Sequence, residues 1–358
     1  MTRTTPTMEE LSTATGHERV VFCRDPEAGY RGVIAIHSTA AGPAAGGTRL
    51  WSYATEDEAV TDALRLSRGM TYKNAMAGLP LGGGKSVIFG DFGGGDADRE
   101  ALFRAHGRFV ERLGGRYLTA EDVGTSPADM AIIRKETAHV AGIAVDPSPR
   151  TAHGVVRAML GAARHRWGSD GLAGRTVAIQ GCGHVGFHLA RELQESGASL
   201  VVTDLDPERA RRVVAATGAR AVEPDEIFDA RADVFAPCAL GAVLNSETVP
   251  RLRVEIVAGA ANNQLREPED GARLRRRDIL YVPDYVANAG GVIGGCGEIL
   301  GWSEDAVKDR VERIHDTLLE VLHLAEEQDV PPHLAADRLA EQRLAALRTT
   351  TEGVIPWT

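Results

Sequence analysis

Cysteine is scarce here and never clustered: Cys23, Cys182, Cys238 and Cys296 are the only four in 358 residues, and no two stand at CxxC spacing. Neither a disulfide framework nor a cysteine-based zinc site is indicated. The 11 histidines include no HExxH pair, so metal catalysis has no support and no metal is expected. No stretch reaches the ~18 consecutive apolar residues of a membrane span. Residues 1–10 lack the apolar core of a secretory signal, so a cytoplasmic address and no membrane partner are expected. Positive charge is in the minority as well, with 40 Lys and Arg against 50 Asp and Glu and a formal net charge of −10. A nucleic-acid partner would need a concentrated basic surface. The one short basic run, at 273–277, reads as a solvated helix face. Internal repeats and low-complexity tracts are lacking too.

What is present suits a soluble globular chain with material for two cores: 43% hydrophobic and 25% charged residues. The spacing predicts an α/β first domain over 1–145. Val20 to Cys23 and 31–37 read as strands joined by the turn-rich Asp25-Pro26-Glu27-Ala28-Gly29, a hairpin. Residues 55–70 read as a helix with Ala59, Ala63, Leu66 and Met70 on one face and three acids in its first turn. Val87-Ile88-Phe89 reads as a short strand and 98–113 as an amphipathic helix. Asp146-Pro147-Ser148-Pro149 marks the boundary, before a helix expected near Thr151. The second domain, over 146–330, has further strands expected at 234–236, 256–258 and 279–282. One long helix is expected along Val307, Val311, Ile314, Leu318, Val321, Leu322 and Ala325. After Pro331-Pro332 a last helix is expected to return to the first domain, which would then include 331–358.

The most specific local pattern is Gly181-Cys182-Gly183-His184-Val185-Gly186. A buried strand precedes it at 175–180, a helix follows at 187–196, and a second strand at 199–204 ends on Asp204, about twenty residues on. This is a complete βαβ dinucleotide-binding unit, and with it comes a doubly wound Rossmann sheet. Gly181 permits the turn, Gly183 lets backbone N–H groups approach a pyrophosphate, and Gly186 lets helix pack on strand. Asp204 is expected to hold the adenosine ribose hydroxyls, and its charge would repel a 2′-phosphate, so NAD is expected over NADP.

A second glycine cluster, Gly78-Leu79-Pro80-Leu81-Gly82-Gly83-Gly84-Lys85-Ser86, is not a triphosphate-binding loop. GxxxxGK[ST] needs glycine at 79, where this chain has leucine, and a helix after Ser86, where it has a strand pattern. Three glycines would let bulky matter lie against the backbone with the Lys85 amine fixed beside it. A partly desolvated lysine has a depressed pKa suited to acid/base work. Taken alone, it could equally be a surface lysine after a flexible loop.

The segment 69–85, Gly-Met-Thr-Tyr-Lys-Asn-Ala-Met-Ala-Gly-Leu-Pro-Leu-Gly-Gly-Gly-Lys, resembles the signature of the glutamate/leucine/phenylalanine/valine dehydrogenase family. The resemblance continues in family order through Gly46-Gly47-Thr48-Arg49, Thr119-Ala120-Glu121-Asp122-Val123-Gly124-Thr125, Pro147-Ser148-Pro149, Pro237-Cys238-Ala239-Leu240-Gly241, Ala260-Ala261-Asn262-Asn263-Gln264-Leu265 and 283–291, spanning about 18 to 348. The leucine, valine and phenylalanine branch fits better than the glutamate branch. The resemblance implies reversible NAD-dependent oxidative deamination, with an L-amino acid, its 2-oxo acid and ammonium as small-molecule partners and a homo-oligomer as the assembly. By the same resemblance Lys73 binds the substrate carboxylate, Lys85 activates water, and Asp122 is the general base. Arg49, Thr151, Leu205, Cys238, Ala239, Ala260, Asn262 and Asn288 join the fingerprint and Asp204 in binding cofactor. Gly46 and Asn263 contact substrate. Without the family blocks, Asp122 could be a capping residue and each asparagine a turn former.

The resemblance places Ala45, Ala120, Val292 and Gly295 around the substrate side chain. Leucine-type members usually carry larger aliphatic residues where this chain has Ala45 and Gly295, so a widened pocket and an aromatic side chain such as phenylalanine are expected. Leucine or valine is the alternative. Relatives often have asparagine at His184 and alanine at Gly186, and a longer segment across 141–146. A non-catalytic NAD-binding regulator would be expected to lose Lys85 or Asp122, and both are present. A hydroxy-acid oxidoreductase would be expected to offer a His–carboxylate pair in these blocks, and none does.

Overall fold

The first sheet begins with the expected hairpin, β1 (Arg19–Asp25) antiparallel to β2 (Tyr30–Ser38), which pair from Arg19↔Ile36 to Asp25↔Tyr30. The structure, a computed structural model, describes residues 16–90, 96–141 and 146–350. Residues 1–10 and 142–145, on which the reading of the polar start and of the shortened segment depended, lie outside these. The chain forms two units, 1–145 with 341–358, and 146–340.

In the first unit the chain continues through β3 (Ala44–Trp51), α1 (Glu56–Met76), β4 (Gly82–Phe89), α2 (Asp96–Glu111), β5 (Tyr117–Glu121) and α3 (Pro127–Ile133). The five strands lie in the order β1-β2-β4-β3-β5, with β3 parallel to both β4 and β5 and β2 antiparallel to β4. Thr55 caps α1 by accepting from Glu58 N, and three acids occupy the first turn, where the helix dipole favours them. The helix runs beyond the expected end at 70 to Met76 and so carries Lys73 in its last turn. Val33, Ala35, Ala59, Val60, Ala63 and Val87 fill the layer between α1 and the sheet. Tyr30, Ile34, Phe103, Met130 and Ile133 bury the opposite face with α2 and α3. Each Val, Ile, Phe or Met among these contributes about 1.5–3 kcal/mol on leaving water.

The glycine run admits bulky neighbours against its backbone, as expected, and those neighbours are the chain's own side chains and backbone. Gly82, Gly83 and Gly84 are not a flexible loop but the buried start of β4. A Cβ on Gly83 would lie 2.1 Å from Thr71 N of α1, one on Gly84 2.7 Å from the Tyr117 ring, and one on Gly82 1.9 Å from Ser38 O. Neighbouring elements take the room that side chains would need.

The second unit comprises α4 (Ser148–Trp167), β6 (Thr176–Gln180), α5 (His184–Glu195), β7 (Ser199–Thr203), α6 (Pro207–Thr217), β8 (Arg220–Ala221), β9 (Val234–Pro237), β10 (Ile256–Val257), α7 (Pro268–Arg276) and β11 (Leu280–Tyr281). It then continues through α8 (Asp284–Ala287), α9 (Gly290–Leu300), α10 (Glu304–Glu312), α11 (Ile314–Glu327) and α12 (Pro332–Thr350). Its six strands are all parallel, in the order β11-β10-β9-β6-β7-β8. This is the doubly wound Rossmann arrangement, and the winding reverses between β6 and β9, where such sheets take their ligands.

Two expectations are adjusted here. The single helix across 307–325 is two, α10 and α11, because Arg313 tightens the turn between them (φ −66°, ψ −10°) while the apolar stripe runs on through both. The last helix joins the first unit only from Glu341, beyond the expected Pro331. Its opening turns belong to the second unit, where Tyr285 donates to Asp337 over 2.8 Å. In the first unit Tyr72 donates to Glu341 over 2.7 Å.

Candidate active site

Adjacent strands of the first unit bring three charged groups together. Arg49 projects from β3, Lys85 from β4, and Asp122 from the turn just after β5. Lys85 Nζ lies 2.8 Å from Asp122 Oδ2, and Arg49 Nε donates to the same oxygen over 2.9 Å. Burial pushes the Lys85 ammonium below the ordinary lysine range, Asp122 opposes that shift, and the Arg49 charge reinforces it. Burial alone would raise the Asp122 carboxyl, but the Lys85 and Arg49 cations outweigh it and hold the carboxyl below the usual carboxylate range. Arg49, expected as a cofactor contact, has its guanidinium engaged by two carboxylates, since its NH1 donates to Asp62 over 2.7 Å. Asp62 stands on α1 and also accepts from Tyr53 OH over 2.6 Å.

The turn that presents Asp122 is laced to β3. Thr125 Oγ1 accepts from Asp122 N at 2.9 Å and reaches Thr48 O at 3.0 Å, and Leu50 N donates to Val123 O at 2.9 Å. Gly47 makes the approach possible, since a Cβ there would lie 2.7 Å from that of Asp122. Gly124, at φ +80°, closes the turn against Leu50 O. On the other side of the same strands runs a buried polar network. His106 Nδ1 pairs with Tyr30 OH at 2.9 Å and its Nε2 with Thr48 Oγ1 at 2.9 Å, and Thr48 also meets Ser86 and Thr119. Tyr117 OH donates to Gly46 O over 2.7 Å. Burial drives His106 down to about 3, so it is a neutral hydrogen-bonding link from α2 to β2 and β3 and not an acid or base.

Of the remaining first-unit residues, Lys73 is half-buried, two positions after the Thr71 that packs on Gly83. Ala45 is buried and pairs with Gly83 and Leu118 across β3, while Ala120 is half-buried opposite Gly47. Gly46 is walled in, a Cβ there lying 1.8 Å from Gly84 O, so it can offer only backbone.

In the second unit the fingerprint sits at the carboxyl end of β6. Gly181 takes φ +102°, and a Cβ on it would lie 2.8 Å from Ala239 N. A Cβ on Gly186 would lie 1.9 Å from Gly181 O, the close packing of α5 on the turn. Gly183, by contrast, would meet nothing within 4 Å. It caps α5, where no side chain of the described residues makes a capping hydrogen bond, and His184 and Val185 form the first turn. The open approach and unshielded N–H groups fit a pyrophosphate. Asp204 Oδ2 accepts from Cys182 N at 2.7 Å, and its Oδ1 from Asp206 N at 2.9 Å. A carboxylate has roughly four lone-pair sites, so capacity remains for ribose hydroxyls. Leu205 beside it is 84% exposed, which leaves room for an adenine. Burial pushes the Cys182 and Cys238 thiols up to about 12, so both are packing groups and not nucleophiles.

Across the switch point Ala239 is exposed and Ala260 half-buried. Asn288 is buried, with Nδ2 donating to Ala260 O at 3.0 Å and to Asn262 Oδ1 at 2.8 Å. Its Oδ1 is buried with no hydrogen-bond partner among the described residues, an acceptor suited to a ligand hydroxyl or amide. Asn263 adopts φ +53° and its loop lies against Gly241, whose Cβ would meet Asn262 O at 2.6 Å. Thr151 Oγ1 donates to Pro147 O within α4. Val292 and Gly295 are half-buried on α9, and a Cβ on Gly295 would meet nothing within 4 Å.

The reading of the sequence passed over Asp62, Tyr53 and His106. Asp62 lies on a helix face that reads as solvated, and His106 is a lone histidine in an amphipathic helix, so only the three-dimensional pairing exposes either one.

One unit with a doubly wound dinucleotide sheet and another, α/β, with a buried lysine–aspartate pair are the two parts of an amino-acid dehydrogenase. Residues 17–139 match the Glu/Leu/Phe/Val dehydrogenase dimerisation domain and 202–351 the Glutamate/Leucine/Phenylalanine/Valine dehydrogenase domain, and the chain belongs to this family. It is 51% identical to a leucine dehydrogenase of Thermoactinomyces intermedius over 340 residues, covering 93% of this chain and 92% of the relative. It is 48% identical to a valine dehydrogenase of Streptomyces virginiae over 346 residues, covering 93% and 95%. The crystal structure of L-tryptophan dehydrogenase from Nostoc punctiforme superposes with a TM-score of 0.86 at 44% identity, covering 96% of this chain and 100% of that one. The chain is thus an amino-acid dehydrogenase of the leucine/valine branch.

Proposed function

We propose that this chain catalyses the reversible NAD-dependent oxidative deamination of an apolar L-amino acid, consuming water and releasing the 2-oxo acid and ammonium. The observation that carries this reading is the buried Lys85–Asp122 contact at 2.8 Å. Lys73 holds the substrate carboxylate as a point charge. Asp122 takes a proton from the substrate ammonium, so that the α-carbon can release hydride. NAD, when bound on the second unit, supplies the hydride acceptor at its nicotinamide. Lys85, in its neutral form, then activates water at the resulting iminium carbon by taking the water proton, while Asp122 keeps the proton from the substrate ammonium. The oxygen that develops charge lies beside the Lys85 ammonium. Asp122 returns its proton to the departing nitrogen and takes the hydroxyl proton as the carbonyl forms, and the ammonia released becomes ammonium in water. Asp204 supports NAD over NADP because its carboxylate would repel a 2′-phosphate.

For the side chain we favour an aromatic substrate. A Cβ on Gly295 would meet nothing within 4 Å among the described residues, and alanine at 45 adds little bulk. A small substrate would forfeit ~0.8 kcal/mol for each missing methylene contact. Leucine or valine is the second reading, supported by the 51% and 48% identical relatives of those names. A homo-oligomer is part of the proposal, supported by the match of 17–139 to a dimerisation domain. Turnover of phenylalanine, tryptophan, leucine and valine, with Gly295→Val alongside, tests the substrate. Aromatic preference that Gly295→Val transfers to leucine supports the first reading, and leucine preference in the unaltered chain supports the second.

A further inference from the structure

The guanidinium of Arg49 lies between two carboxylates that belong to different elements. Its Nε donates to Asp122 at 2.9 Å and its NH1 to Asp62 at 2.7 Å, with both partners four-fifths or more buried. Asp62 is fixed in turn by Tyr53 OH at 2.6 Å and by Arg65 NH2 at 3.2 Å. A planar guanidinium held by two such bonds cannot rotate without breaking one of them.

We propose that Asp62, with Tyr53, is a positioning residue for the deamination reaction: by clamping Arg49 it holds the Asp122 carboxylate in line with Lys85. This rests on the proposed reading of that pair and deepens it. The clamp answers a physical need. Asp122 has to give up and recover protons without swinging away, and in the turn after β5 a carboxylate tethered by Lys85 alone would follow the amine each time its charge changed. Arg49 keeps its charge at every working pH, so its hold on Asp122 does not lapse when Lys85 is neutral. Asp62 returns a negative charge to a cluster that otherwise holds two cations and one anion. Groups facing Asp122 are Lys85 and Arg49, with the Tyr117 hydroxyl behind. Those facing Asp62 are Arg49, Tyr53 and Arg65.

The test uses the full chain and its Asp62→Asn, Asp62→Glu and Tyr53→Phe variants. Amino acid and dinucleotide are varied separately from pH 7 to 11, with Lys85→Ala as control. Asp62→Asn is expected to lower kcat about 10- to 100-fold and to move the acidic limb of the rate profile to lower pH by about half a unit, as loss of a nearby anion requires. KM for the dinucleotide should stay unchanged, Asp62→Glu should recover part of kcat, and Tyr53→Phe should show a weaker version of the same effect. An unchanged kcat and profile in Asp62→Asn overturns the proposal, and so does a loss confined to KM for the dinucleotide, which would make Arg49 a cofactor contact. Activity that survives Lys85→Ala would instead defeat the reading of the pair. A crystal structure of Asp62→Asn decides the positioning claim without turnover: Arg49 displaced from Asp122 supports it, and an unmoved Arg49 overturns it.

Discussion

Lys85 Nζ of β4 and Asp122 Oδ2 of the turn after β5 meet at 2.8 Å across β3, and Lys85 is only 5% exposed. Two opposite charges at that distance in a dry setting hold each other in the ionised form, while burial works against the ammonium. A buried pair of this kind is a weak device for stability and a strong one for controlled proton transfer.

Replacing either partner is expected to remove catalysis and spare the fold. Lys85→Arg keeps the charge but cannot give up a proton, and Asp122→Asn keeps the shape but not the base. Each should lower kcat by ~10²–10⁴. Because burial depresses Lys85 below its ordinary 10.5, the neutral amine is present at lower pH than in free lysine. Deamination should therefore rise with pH along a limb lying below that value, and Lys85→Arg should abolish the limb. The profile reports the coupled group, not a single residue. Steady-state rates across pH check both statements.

His106 should leave a mark on stability. Its folded value is lowered from 6.5 to about 3, so between those values the unfolded chain binds a proton that the folded chain does not. Stability therefore rises with pH through that window, by at most about 1.4 kcal/mol per unit. Urea unfolding at pH 4.5 to 7.5 should show this slope in the wild-type chain and a flatter one in His106→Gln. Identical slopes would contradict it.

Two glycines should separate packing from binding. In Gly83→Ala the new methyl meets Thr71 N at 2.1 Å, and the variant should lose about 1–3 kcal/mol or more. In Gly183→Ala nothing lies within 4 Å, so the melting temperature should hold while dinucleotide affinity falls. Calorimetry of both variants with and without NAD compares them directly.

Asp204→Asn should weaken NAD more than it weakens the fold. The amide keeps an acceptor for Cys182 N, now 2.7 Å from the carboxylate, but removes the charge that favours ribose hydroxyls. A charge-assisted hydrogen bond is worth ~1.5–3 kcal/mol, so KM for NAD should rise about tenfold or more. Discrimination against NADP should narrow in the same assay.

The second unit was far more legible than the first, for a local reason. β6, α5 and β7 each carry their own period, and the glycines and Asp204 sit where those periods break, so one window of sequence contains the whole argument. β3 and β5 offered no such window. Ala44-Ala45-Gly46-Gly47 has little strand propensity, and it is a strand because β4 and β5 pair with it on both sides. The run at Gly82 left a flexible loop open for the same reason, although its glycines are required by Thr71, Tyr117 and Ser38, of which Tyr117 and Ser38 are distant in sequence. Lys85 and Asp122 were named through resemblance, whereas their link through Arg49 to Asp62 depends on α1 lying beside β3, which no local pattern encodes.

The most direct test is ammonium-dependent oxidation of NADH with a 2-oxo acid such as phenylpyruvate, followed by absorbance in the wild-type chain and in Lys85→Ala. The account predicts turnover that requires ammonium, releases the L-amino acid, and falls by at least ~10²-fold in the variant. Turnover without ammonium, or turnover that survives Lys85→Ala, would contradict it.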